Sequence, residues 1–353
     1  METTSSMSTD SNTVEGNGNG NGNVKSKINA AILYLTQNTD VRKTYLKTSL
    51  YFLFKNFNDK YRYPVIILHE GDFDSKSQQE IITSVRTSCR SLVTFVELDK
   101  GDFEVPDFID KEKVKNIVDI KPVPYWRNMN YRLMCRWWIV HMPKYAKGYD
   151  YVMRLDDDSI IEEPIKKDLF EWFDNKSLVY ASNLIHIDCG FCCYGMLDFF
   201  KSLFPDRKEM VERMFVPGEV NTQSIHEFRC VMSIASSDNL PVLGEKLDTP
   251  MPIIYYNNFH ITKTSFWLRD DVQKTIDAID KNGSIFYYRW GDAPLQSIIV
   301  ALHAKENEIS RCQFMYSKRM QREAFLGDDG HWYSFMPDTY DKTSCITQEA
   351  KIN

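Results

Sequence analysis

An alternation near the start of the chain limits its fold more than any other feature. "INAAILYLTQN" (28–38) reads as a buried strand running into a polar loop. "DVRKTYLKTSLYFLFKNFNDKYRY" (40–63) then carries Val41, Tyr45, Leu46, Leu50, Leu53 and Phe54 at helical spacing. "YPVIILHEGDF" is a β-branched run closed by Gly-Asp, a second buried strand. "SKSQQEIITSVRTSC" reads as a second helix with Ser75 as its N-cap, and "SLVTFVELD" as a third strand. Strand, helix, strand, helix, strand at this spacing gives βαβ units, and such units give a mainly parallel sheet with right-handed crossovers. Ligands of open α/β sheets sit at the carboxyl ends of the strands.

The later chain continues the pattern less regularly. "YRLMCRWWIVHMPKYA" (131–146) reads as an amphipathic helix, with Arg132 and Arg136 four apart on one face. "YDYVMRLDDDSI" (149–160) is an apolar strand that ends in three aspartates. "KDLFEWFDN" is a helix and "SLVYASNLI" a strand. Helices are expected around 196–214 and 221–235. "MPIIYYNNFHITKTSFWLRD" (251–270) reads as an extended segment, a turn and a helix start. "DDVQKTIDAIDKNG" (270–283) is a helix stopped by Asn-Gly. "SIFYYRWGDAPLQSIIVALHA" reads as a strand, a Gly-Asp turn and a helix opened by Pro294. No internal repeat is visible.

Three stretches carry chemistry. In a strand that ends Asp-x-Asp, the first and third carboxylates project to one side. Asp156 and Asp158 can there share a divalent cation, since Mg²⁺ and Mn²⁺ take hard oxygen ligands. The bland alternative is an acidic cap before a helix. Asp292, in "YYRWGDAPLQSI", is either an N-cap or a carboxylate aimed into a site beside the aromatic platform of Trp290. His260, between Phe259 and Ile261, is either a core residue or a catalytic one.

Composition excludes some functions. The net charge is −6 with both signs interspersed, which argues against a nucleic-acid partner. Residues 1–27 are rich in Ser, Thr, Asn and Gly and nearly free of apolar side chains. They are expected to be a disordered leader, ahead of a single domain over 28–345 and a tail over 346–353. No signal peptide and no stretch of 18 apolar residues is present, so a soluble, cytoplasmic chain is expected. The eight cysteines are spread among apolar neighbours and read as free thiols. "CGFCC" (189–193) lacks the second pair that a zinc site would want.

Taken together, these stretches resemble the fungal α-1,2-mannosyltransferase family (the glycolipid 2-alpha-mannosyltransferases, glycosyltransferase family 15). "NAAILYLTQNTD", "FNDKYRYPVIILHEGDF", "YRLMCRWW", "YDYVMRLDDDS", "NNFHITKTSFWLR" and "FYYRWGDAPLQSI" are similar to its motifs, in order, over about residues 28–320. The resemblance implies a GT-A-like α/β fold, a GDP-mannose donor, Mn²⁺ (or Mg²⁺) and transfer with retention to a hydroxyl of a glycan or glycoprotein. It assigns the metal to Asp156 and Asp158, with Asp157 replacing the family's proline and dispensable. It assigns the donor side to Tyr131, Arg132, Arg136 and Trp290, and the acceptor hydroxyl to Asp292.

Three departures accompany the likeness. His260 stands where the family has a glutamate considered as a nucleophile, and imidazole replaces a carboxylate poorly at an oxocarbenium-like centre. "EISRCQFMYSKRM" has no histidine in register with the family's metal-binding one, and His331 is the sole later histidine. The family's membrane anchor is replaced by the low-complexity leader. The first two departures leave open a catalytically degenerate glycan- or nucleotide-sugar-binding protein, and the lack of a recognisable base-reading residue leaves open a transferase of another nucleotide sugar.

Overall fold

The computed structural model describes residues 28–123, 125–221, 226–235, 246–318, 323–326 and 332–335. The leader over 1–27, His331, Cys345 and the tail over 346–353 lie outside the described residues.

The expected alternation is present. Strand β1 (Ala30–Leu35), helix α1 (Asp40–Leu53), β2 (Val65–His69), α2 (Ser75–Ser84) and β3 (Val93–Glu97) follow one another. Helix α3 (Met129–Val140) precedes β4 (Tyr151–Leu155) and the short β5 (Ser159–Ile161). Then come β6 (Tyr180–Ser182), β7 (Phe259–Lys263), helix α4 (Asp270–Asn282), helix α5 (Asp292–His303), β8 (Ile309–Arg311) and β9 (Tyr316–Lys318). Seven strands form one sheet in the order β8-β6-β7-β4-β1-β2-β3. Its β4-β1-β2-β3 portion is wholly parallel, with Ala30 opposite Tyr151 and Ile32 opposite Val65. Strand β7 runs antiparallel between β4 and β6. Outside this sheet, β9 pairs antiparallel with β5.

Alternation along β1 builds the core on both faces of the sheet. Ile32 and Tyr34 meet Leu46, Leu50 and Leu53 of α1 on one face. Ala31 and Leu33 meet the other layer, where Trp137 and Trp138 of α3, Ile276 of α4 and Leu295 of α5 pack.

Local expectations differ from the structure in three places. Helix α2 is capped by Asp74, which accepts the Ser77 N–H at 2.7 Å, so Ser75 is its first residue rather than its cap. Ser284–Tyr287 forms a helical turn, not a strand. The left-handed Gly283 (φ 75°) that ends α4 sends the chain straight into that turn. Gly291, not Asp292, is the N-cap of α5. All seven described cysteines are free.

Candidate functional site

The neighbours β2 and β3 lie to one side of β1, while β4 lies on its other side, so the strand order reverses between β1 and β4. That is the position where open α/β sheets bind ligands. A cleft of about 620 Å³ opens there. Thr36 and Gln37 line it from the end of β1, and Asp156, Asp157 and Asp158 from the end of β4. Helix α3 and the loop before it contribute Trp126, Arg127, Tyr131, Met134 and Trp138. Arg42 of α1 and Lys318 of β9 complete the charged end.

The period of the β-strand decides what each aspartate meets. Arg154 points to the α3–α5 face, where its guanidinium lies 4.0 Å over the Trp138 ring. Asp156, two residues on, takes the same side and accepts the Arg154 Nε–H at 2.8 Å. Its other oxygen accepts the Lys318 ammonium at 2.8 Å and the Asn258 amide. Burial alone would raise the Asp156 pKa; Arg154 and Lys318 outweigh it and hold the carboxyl well below the usual carboxylate range. Asp157 takes the opposite side. It accepts the Thr36 hydroxyl at 2.5 Å and the Arg42 guanidinium at 2.7 Å. Burial pushes its pKa up, Arg42 offsets this in part, Asp158 adds to it, and the net value is about 6. Asp158 returns to the first side, with Oδ1 3.7 Å from the Lys318 nitrogen.

Asp292 does not face the cleft. It is buried in the first turn of α5 and accepts the Arg154 Nη1–H and the Asn257 amide, the latter at 2.8 Å. Arg154 thus ties Asp292 to Asp156, and the two acidic motifs of the sequence form one network. Asp292 is expected from the sequence at the acceptor hydroxyl; the structure instead engages its oxygens with the buried Arg154 guanidinium and the Asn257 amide.

Arg132, Arg136, Trp290 and His260 lie away from the cleft. Arg132 and Arg136 share a face of α3, but it is the face turned from the cleft. Tyr131, Met134 and Trp138, at i, i+3 and i+7, are the ones that line it. Arg132 is buried against the main-chain carbonyls of Phe286 (2.9 Å) and Trp126 (3.2 Å). Arg136 forms a two-pronged pair with Asp280 of α4 at 2.7 and 2.8 Å. Neither guanidinium reaches a diphosphate in the cleft. Trp290 is buried, packed on Phe199, and donates its indole N–H to the Tyr194 carbonyl at 2.9 Å, so it offers no sugar platform. His260 is a core residue. Its ring stacks on Tyr180 at 5.0 Å, and Nδ1 lies 2.9 Å from the Asn257 carbonyl. Burial, then Arg154, pushes its pKa down to about 3, so the imidazole is neutral. Asp157, expected to be dispensable for the metal, joins the end of β4 to β1 and α1 through Thr36 and Arg42. Of the expected donor-side residues, Tyr131 alone lines the cleft, with the Arg127 guanidinium 5.5 Å over its ring.

The sequence reading missed Arg154, Lys318, Arg42, Thr36 and Asn258. Arg154 had a signal: an arginine inside an apolar strand must find counter-charges. Lys318 had none, because its partner lies 162 residues away.

Whether the cleft suits a divalent cation is a matter of its donors. Asp156 and Asp158 offer hard oxygens on one side of the chain. Among the described residues no group of three or more His, Cys, Asp or Glu could hold a metal. Two carboxylates fit an ion that takes its remaining ligands from nucleotide phosphates and water.

The mainly parallel sheet, with carboxylates and cations over its switch point, is a GT-A-like α/β fold. The comparisons supply the family. The model described as glycolipid 2-alpha-mannosyltransferase matches residues 2–321, and the chain belongs to that family of glycosyltransferases. It is 26% identical over 313 residues to the O-glycoside alpha-1,2-mannosyltransferase omh1 of Schizosaccharomyces pombe, covering 87% of this chain and 69% of that one. It is 25% identical over 291 residues to glycolipid 2-alpha-mannosyltransferase 1 of Candida albicans, covering 81% of this chain and 61% of that one. The fold is similar to core-mannan synthase A of Aspergillus fumigatus in its Mn/GDP form, with a TM-score of 0.66, 17% identity, and coverage of 83% of this chain and 75% of that one. Ktr4p of Saccharomyces cerevisiae in complex with GDP gives 0.66 and 19%, with coverage of 83% and 71%. Among the described residues no helix is long and apolar enough to cross a membrane.

Proposed function

We propose that this chain transfers mannose from GDP-mannose to a hydroxyl of a glycan, glycoprotein acceptors included. The observation that carries the reading is the Lys318–Asp156–Arg154–Asp292 network, fixed at the switch-point cleft of a chain in this family. The relatives named as mannosyltransferases, and the fold neighbours solved with GDP, support the choice of donor.

In this reading the diphosphate lies at the charged end of the cleft, and the aromatic wall of Trp126, Tyr131 and Trp138 flanks the remainder of the donor. Asp156 and Asp158 would hold Mn²⁺, which supplies Lewis-acid charge to the departing diphosphate. Arg154 fixes the Asp156 carboxylate, and Asp292 fixes Arg154. His260 is buried in the core outside the cleft lining and out of reach of the donor sugar carbon, so retention would require front-face transfer.

The test is an assay of purified protein with Mn²⁺ across GDP- and UDP-sugars, using a mannoside acceptor. GDP-mannose is expected to be consumed with a new disaccharide formed. Asp158→Ala is expected to lower kcat/KM about 10²–10³-fold. Binding of GDP without turnover would point instead to the nucleotide-sugar-binding alternative. Turnover of a UDP-sugar alone would refute the donor.

A further inference from the structure

The charged end of the cleft sets an electrostatic problem. Asp156 and Asp158 project to one side, where, on the proposed function, a diphosphate must also sit. Like charges at this spacing repel unless a cation stands between them. Arg154 pairs with Asp156 and Arg42 with Asp157, while Lys318 approaches both Asp156 and Asp158. Strand β9 pairs with β5 so that Tyr316 lies opposite Ile161, Ser317 opposite Ile160 and Lys318 opposite Ser159, the residue after the aspartate run. The Tyr316 hydroxyl shares a 2.6 Å hydrogen bond with Ser159 Oγ, and the Glu162 N–H donates to the Met315 carbonyl at 2.8 Å, so this register is pinned on both sides. The outcome is an ammonium 2.8 Å from Asp156 Oδ2 and 3.7 Å from Asp158 Oδ1, on the wall of the cleft.

Lysine has three N–H donors and no lone pair while charged. One donor is committed to Asp156. The contact to Asp158 is longer than a hydrogen bond, so among the described residues one donor is bonded and the others can serve a ligand entering the cleft. Arg42, the neighbouring cation, gives one Nη1–H to Asp157 and lines the same end of the cleft, but it does not approach Asp156 or Asp158 within ion-pair distance among the described residues.

We infer that Lys318 is a resident cation of the donor site. It neutralises Asp156 and Asp158 when no metal is bound and hydrogen-bonds the phosphates of an entering nucleoside diphosphate, so that GDP affinity, as distinct from turnover, does not depend on divalent metal. The inference rests on the proposed function and deepens it. Lysine is a common phosphate partner as a point charge, so nothing unusual is asked of the side chain.

Titration calorimetry of the full chain with GDP, in EDTA and again in Mn²⁺, tests it. The wild type is expected to bind GDP in EDTA, with Mn²⁺ tightening binding by less than about tenfold. Lys318→Met is expected to lose at least about 30-fold in EDTA and to recover most of it in Mn²⁺, while Lys318→Arg retains binding in EDTA. GDP binding by the wild type only when Mn²⁺ is present would overturn the inference and leave the proposed function standing. That arm needs no variant, so misfolding of Lys318→Met cannot mask it. Absence of GDP binding under both conditions would remove the proposed function and this inference with it.

Discussion

Arg154 and Arg132 are both buried guanidiniums, 2% and 0% exposed, and their surroundings are opposite. Arg154 bridges two carboxylates, Asp156 and Asp292, and lies on the Trp138 face. Burial alone would lower its pKa, but the two aspartates raise it above the ordinary value. Arg132 has no carboxylate bonded to it among the described residues. It rests on main-chain carbonyls and on the Trp126 face at 4.5 Å, and its Nε–H has no partner. Burial, then Arg289, lowers its pKa to about 9. The first arginine organises charge at the site, whereas the second ties helix α3 to the chain around Phe286. Sequence motifs draw the eye to both, and the bonding partners separate them.

The comparison breaks first at Arg154. Arg154→Met strands the buried Asp292 carboxylate and leaves Asp156 to Lys318 and Asn258, and a cost of about 3–5 kcal/mol is expected in urea unfolding at neutral pH. A cost near zero would mean that Asp156 and Asp292 are not held by this guanidinium. Arg132→Met strands only carbonyl oxygens and should cost about 1–3 kcal/mol. GDP affinity should then stay within about twofold of wild type, since Arg132 faces away from the cleft. A large loss of GDP affinity in a folded Arg132→Met protein would restore the diphosphate role that the structure denies it.

The same contrast explains what could be read from the sequence. The parallel sheet was legible because β1, β2, β3 and β4 are short apolar runs separated by helical spacing, a local signal. The cleft was legible because ligand sites follow strand ends, and the aspartates mark one such end. Helical periodicity placed Arg132 and Arg136 on one face, but not which face α4 would cover. Asp292 was found as a motif, yet its role depends on a guanidinium 138 residues away. Lys318 arrives through the pairing of β9 with β5, and strand pairing at that separation leaves no trace in local pattern.

His260 gives the smallest effect at neutral pH and the clearest sign. Its ring is 1% exposed and sits across the β7–β4 ladder from Arg154. Burial and that positive neighbour lower its pKa from 6.5 to about 3. In the unfolded chain the imidazole takes up a proton near pH 6.5, whereas in the folded chain it does so only near pH 3. Between these values the unfolded state binds more protons, so this contribution to stability is complete above pH 6.5 and is lost as pH falls toward 3. Gln at this position cannot be protonated and keeps an N–H for the Asn257 carbonyl. His260→Gln should therefore cost about 1 kcal/mol at pH 7.5 through lost stacking on Tyr180. At pH 5 the balance should shift in the variant's favour by about 2 kcal/mol, from 1.5 pH units at ~1.4 kcal/mol each. Paired urea unfolding curves at the two pH values measure that shift. An unchanged difference between the proteins would mean that His260 is not held neutral in the core, and would reopen it as a residue of the site.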